Sequence, residues 1–152
     1  MKIALASDHA GYEAKIALVE YLKGEGYEVE DFGTDSGESC DYPDFAYKAA
    51  TAIASGKFER GVFICGSGVG ISIAANKVKG IRCALCTNEF CAEFSRRHND
   101  AQVIAMGARV LPVDTMKKLA DIFLTTEFEG GRHQRRVDKI TAIEKGENPL
   151  EK

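Results

Sequence analysis

The stretch GVFICGSGVGISIAAN, Gly61–Asn76, opens as an apolar run, passes through glycines at 66, 68 and 70, and closes with helical spacing. A short apolar run bounded by turn residues reads as a buried strand, and alternate glycines let the chain turn tightly into a helix. A strand that feeds a helix in this way is half of a β-α-β unit, so the fold class depends on whether the pattern recurs.

It recurs on both sides. Residues 2–7 read as a strand and 12–23 as a helix, with Ile16, Val19 and Leu22 on one face and Gly24-Glu25-Gly26 as the stop. Residues 27–32 form a second strand, 33–42 a loop rich in Gly, Ser and Asp, and 43–55 a helix with Pro43 in its first turn. Beyond Asn76 the spacing predicts strand 81–85, helix 89–97, strand 101–106, helix 114–124 and a last charged helix 132–145 after Gly130-Gly131. Five strands alternating with helices imply an α/β fold, a three-layer α/β/α Rossmann-like sandwich around a five-stranded parallel sheet with right-handed crossovers. No linker, repeat or low-complexity segment divides the chain, so residues 1–152 are expected to form a single domain, long enough to bury a core without metal or disulfide.

Charge and cysteine usage narrow the function. A net charge of −3 argues against a general nucleic-acid binder, so any anionic ligand must meet a local cluster of cations. No segment reaches the ~18 apolar residues of a membrane span, and the first residues lack an export signal, so a cytoplasmic location is expected. The five cysteines then read as thiols. Cys83, Cys86 and Cys91 tempt one toward a metal site, but residues 83 and 86, three apart on a strand, point to opposite faces, and no metal is expected.

Ligands on a parallel sheet gather at the carboxyl ends of its strands. That directs attention to Ser7-Asp8-His9, Cys65-Gly66-Ser67, the loop after strand four and Gly107-Ala108-Arg109. Cys65 stands where a strand meets a helix N-terminus, whose unpaired N–H groups and dipole favour the thiolate, and Ser67 could hydrogen-bond it. The plainer reading makes Cys65 a buried small residue beside a tight turn. A cysteine phosphatase would need an arginine six residues after the nucleophile, where Ile71 stands. A dinucleotide fold would carry its glycine fingerprint after strand one, where Ser7-Asp8-His9-Ala10-Gly11 lacks it.

Six blocks in order, SDHAGYEAK, DYPDFA, CGSGVGISIAANK, GIRCALC, SRRHNDAQV and EGGRHQRRV, resemble ribose-5-phosphate isomerase of type B, a family that also holds galactose-6-phosphate isomerase subunits. The resemblance runs from Lys2 to about Ile143 and leaves the tail 144–152 outside. It implies a homodimer or a tetramer, a C-terminal dimerisation helix, active sites shared between subunits, no cofactor, and a sugar phosphate as substrate. It implies that Cys65 moves a proton between C2 and C1 through an enediolate, with Ser67 orienting the thiol. The N–H groups of Gly66 to Gly70 and the amide of Asn99 would then steady the developing oxyanion. Some members use a glutamate a few positions later, where this chain has Gly70-Ile71. By the same resemblance His98 opens the sugar ring, Asp8 holds sugar hydroxyls, Tyr42 contacts the ligand, and His9, Arg109, Arg132 and Arg136 take the phosphate. Arg132 and Arg136, four apart, share a helix face, and the guanidinium fork suits phosphate oxygens; His133 and Arg135 point elsewhere. For His98 alone a helix-end role is the plainer reading. Three functions remain: isomerisation of ribose 5-phosphate, the same chemistry on a six-carbon aldose 6-phosphate, or a phosphate-binding module without catalysis.

Overall fold

Strand β1 (Lys2–Ser7) alternates its side chains between two cores: Ile3 and Leu5 enter one, Ala4 and Ala6 the other, all fully buried. That double burial is what a parallel sheet covered on both faces requires. The computed structural model describes residues 1–152. The remaining elements are α1 (Tyr12–Gly24), β2 (Glu28–Asp31), α2 (Tyr42–Ala54), β3 (Arg60–Cys65), α3 (Val69–Asn76), β4 (Cys83–Leu85), α4 (Glu89–Arg97), β5 (Val103–Gly107), α5 (Val113–Thr125), α6 (Arg132–Glu144) and a closing 3₁₀ turn, Pro149–Glu151.

All five strands are parallel, in the order β2-β1-β3-β5-β4. Helices α1, α4 and α5 close one face around Leu18, Ala92, Met116 and Phe123; α2 and α3 close the other around Ala46, Ala50, Ile71 and Ala75. The three-layer α/β/α arrangement expected from the alternation is present. Cys83 packs with the α2/α3 core and Cys86 with the other, on opposite faces as the strand period requires. Burial pushes the Cys86 thiol up to about 12 and drives that of Cys83 higher still.

The two edge strands are shorter than the sequence reading suggests, and β5 begins at Val103 rather than at 101. Ile81 is buried, but its N–H donates to the Val78 carbonyl in a turn, so β4 begins only at Cys83. On the opposite edge β2 is reduced to Glu-Val-Glu-Asp, with the Glu28 and Glu30 side chains exposed.

Helix α6 stands apart from the β-α-β succession. Its start is tied to α4, where the Glu129 N–H donates to the Arg97 carbonyl (3.0 Å). Its end reaches the turn before β4, where Glu144 accepts from the Gly80 N–H (3.0 Å). Of the apolar stripe Val137, Ile140 and Ile143, only Val137 is buried; Ile140 is 45% exposed and Ile143 61%. An amphipathic stripe left open in one chain is surface available to another.

Lys15 is among the largest fully buried side chains, and its amine donates to Asp31 Oδ1 (2.6 Å) and to the Thr34 carbonyl (2.5 Å). This pins the loop that follows β2 to α1. Removing one partner of a buried ion pair costs about 3–5 kcal/mol because the other charge is left without an answer. Asp31→Ala is therefore expected to lower unfolding free energy by about 3 kcal/mol, the low end because Asp31 itself is 28% exposed. Urea denaturation measures this, and a loss under about 1 kcal/mol would show that Lys15 gives up its charge instead.

Candidate active site

Pairing Cys65 with Gly107 across β3 and β5 brings two strand ends together at the centre of the sheet. The Cys65 side chain is buried, and its Sγ accepts from the Gly68 N–H at 3.2 Å. Ser67 is engaged elsewhere: its Oγ accepts from the Val69 N–H at 3.1 Å, closing the first turn of α3. The thiol thus takes its donor from the backbone rather than from Ser67.

The turn depends on missing side chains. Gly68 has φ +81°, and a Cβ there would lie 2.6 Å from Leu85 and 2.8 Å from the Met106 backbone. A Cβ on Gly70 would come within 2.6 Å of the Tyr42 ring, which is how Tyr42 comes to roof the helix N-terminus. Arg109 is bound back to the turn by its N–H to the Gly66 carbonyl (2.9 Å), and its guanidinium lies over the bare Cα of Gly66.

Asp8 is buried at the end of β1, and its Oδ1 accepts from the N–H groups of Ala10 (3.0 Å) and Gly11 (3.2 Å). The following His9 accepts at Nδ1 from the Cys40 N–H (3.2 Å), which leaves Nε2 to carry the proton as a donor. An open cleft of about 600 Å³ is lined by Asp8, Tyr42, Cys65, Gly66, Ser67, Gly70 and Arg109, with Val69, Ile73 and Val110 at its edge.

His98, Asn99, Arg132 and Arg136 are absent from this cleft. His98 and Asn99 follow α4 and precede β5, whose five residues span about 13 Å before reaching Gly107 beside Cys65. The Asn99 carbonyl accepts from Arg82 Nε (2.9 Å), just ahead of β4, which fixes it at the amino ends of the strands. Arg132 and Arg136 project from α6 at the same end, exposed and without acidic partners. One chain therefore holds two separated groups of candidate residues, one at each end of the sheet.

The second group contains more than the spacing suggested. His133 is buried and stacks on His98, with ring centroids 3.9 Å apart and planes 11° from parallel. Glu129 Oε1 lies 3.6 Å from His98 Nε2 and 3.5 Å from His133 Nε2, while its other oxygen accepts from Arg97 Nε (2.5 Å). The Arg97 hydrogen bond holds the Glu129 carboxyl below its usual range. Burial, followed by the nearby charges of His98 and Arg132, lowers His133. Sequence spacing set His133 aside because it leaves the Arg132/Arg136 face. The available signal was Glu129, one turn before it. Ligand atoms of His98, Glu129 and His133 lie within 4.8 Å of one another, but parallel imidazoles send their in-plane lone pairs side by side instead of toward one ion.

A profile of the Ribose/Galactose Isomerase family matches residues 3–140. The chain is 48% identical to "Ribose-5-phosphate isomerase B" of Escherichia coli (strain K12), over 97% of this chain and 99% of that one. It is 43% identical to "D-erythrulose-4-phosphate isomerase" of Pectobacterium atrosepticum, over 92% and 93% respectively. The solved structure of Clostridium thermocellum ribose-5-phosphate isomerase B superimposes with a TM-score of 0.95 at 55% identity, covering 96% of this chain and 99% of that one. With a profile match across nearly its whole length and relatives of this closeness, the chain belongs to the ribose/galactose isomerase family and is an isomerase.

Proposed function

We propose that the protein interconverts ribose 5-phosphate and ribulose 5-phosphate without a cofactor. The observation that carries this reading is Cys65 itself: a thiol at the mouth of a helix N-terminus, accepting from the Gly68 N–H, in a cleft shared with Asp8 and Arg109. Aldose–ketose isomerisation needs one proton carrier between neighbouring carbons and donors for the oxygen that becomes negative. The Cys65 thiolate takes the C2 proton, the C2–H electron pair forms the C1–C2 double bond, and negative charge settles on O1 before the N–H groups of the turn. The thiol then returns its proton to C1 while the C2 hydroxyl proton passes to O1, leaving a C2 carbonyl.

Before that step the furanose must open. His98 delivers a proton to the ring oxygen as the C1–O4 bond breaks, and the C1 hydroxyl gives one up, so no net proton is consumed. Histidine suits this work near neutral pH. For His98, Asn99, Arg132 and Arg136 to act on the sugar held at Cys65, a second copy of the chain must supply them, since one chain keeps the groups at opposite ends of its sheet. A two-fold pair with two shared sites meets that need, and the uncovered Ile140 and Ile143 of α6 favour it. His9 through Nε2, Arg109 and the partner's two arginines would bind the phosphate.

The test is a comparison of kcat/KM on ribose 5-phosphate, on galactose and allose 6-phosphates, and on erythrulose 4-phosphate. One carbon more or less in a fitted site changes specificity by about 10–200-fold. Ribose 5-phosphate is expected to lead by at least about tenfold on that scale. A lead for any other substrate reassigns the reaction to that carbon length.

A further inference from the structure

The Glu129 carboxylate is held more firmly than an exposed acid needs to be. Arg97 Nε donates to one of its oxygens (2.5 Å), Arg97 Nη1 is itself anchored on Glu93 (2.7 Å), and the Glu129 N–H returns to the Arg97 carbonyl (3.0 Å). The other carboxylate oxygen faces two imidazole nitrogens, those of His98 (3.6 Å) and His133 (3.5 Å). The His98 ring cannot turn freely beside it, because Phe94 meets it edge-on at 4.7 Å and His133 stacks on its other side at 3.9 Å.

We propose that Glu129 is a positioning residue for ring opening, its clamped carboxylate fixing the His98 imidazole and offsetting the positive charge this ring carries when it holds a second proton. The inference rests on the role proposed above for His98. Two stacked imidazolium rings would repel each other, so only one can carry charge at little cost. Burial disfavours the charged form of the neighbouring His133, and His98 is the more exposed of the two rings. The layout repeats the logic of an orienting acid behind a histidine, where the acid stays ionised and the histidine moves the proton. Glu129 does not touch the substrate and takes no proton.

Two readouts on the same substrate pair separate this from a merely structural ion pair. Ribulose 5-phosphate is open-chain because its 5-oxygen is esterified, so exchange of its C1 proton with D2O needs Cys65 but no ring step. Turnover of ribose 5-phosphate needs both. Glu129→Gln, which keeps the side chain's shape and removes its charge, is expected to lower ribose 5-phosphate turnover by about 10- to 100-fold, below the full loss of a general acid. C1 exchange in the same protein is expected to change by less than about twofold, since proton transfer at carbon does not pass through His98. Arg97→Ala, which frees the carboxylate without removing it, should give the same pattern with a smaller loss, and it stands in if Glu129→Gln fails to fold. Equal losses in both readouts would overturn the proposal, because a collapsed site harms every step. If His98→Asn shows the selective loss and neither Glu129→Gln nor Arg97→Ala does, Glu129 has no part in positioning although His98 opens the ring. If His98→Asn itself shows no selective loss, the role given to His98 is wrong and the inference falls with it.

Discussion

Cys65→Ala is expected to abolish measurable isomerisation, with kcat falling by about 10²–10⁴ or more, while ribose 5-phosphate still binds at nearly its original affinity. The asymmetry follows from what the side chain does. Alanine keeps the Cβ and the packing of β3 against α3, and it leaves the turn N–H groups, Asp8 and Arg109 in place. What disappears is the thiol that, in the proposed mechanism, carries the proton between adjacent carbons. Turnover is measured by the appearance of ketose and binding by calorimetry; retention of near-normal turnover would show that another group moves the proton. A thiol-specific check accompanies it. Cys83 and Cys86 are held as unreactive thiols by burial, so substrate protection against alkylation should map to Cys65 rather than to the more accessible Cys40 or Cys91.

The second large effect is a gain. Cys65→Ala and Arg132→Ala each damage a different end of the sheet, and in the proposed two-fold pair each variant by itself carries two defective sites. Loss of one arginine–phosphate contact removes on the order of 1.5–3 kcal/mol, the range for hydrogen bonds to charged groups. After the two variants are mixed and allowed to exchange subunits, a mixed dimer has one site with both lesions and one with neither. Random pairing in a two-fold dimer places half the chains in mixed dimers, so about a quarter of the wild-type rate should return from almost none. If mixed dimers form and activity stays absent, each site is built within a single chain.

Much of this fold is written locally. The apolar runs from Ile3 to Ala6 and from Gly61 to Cys65 each set a strand buried on both sides, and the glycines at 68 and 70 mark a turn in which a Cβ would collide with its neighbours. The lateral order of the strands has no such local signature. That β5 lies between β3 and β4 follows from how helices fill the two faces, and the nearest sequence signal is only that crossovers are right-handed. Ile81 misleads for a related reason: it is apolar because it is buried, yet its backbone is spent on a turn. The residues at the strand ends, Asp8 and Cys65 among them, could be placed from the topology rule alone. His133 could not, because its contact with His98 joins positions 35 apart in sequence through stacking, and a helical wheel reports only neighbours on its own helix.

The two edges of the sheet also decide how copies of this chain can associate. An edge strand is a row of unpaired backbone groups, and a long, flat, apolar one invites another chain to extend the sheet. Here β4 offers three residues, and β2 offers four, of which Glu28 and Glu30 are acidic and exposed. Two β2 edges brought together would set carboxylate against carboxylate, and two β4 edges would gain too few ladder bonds to hold. Sheet-to-sheet growth, the route to fibres and to swapped strands, is therefore blocked at both ends, and chains that meet must do so through helix surfaces and loops.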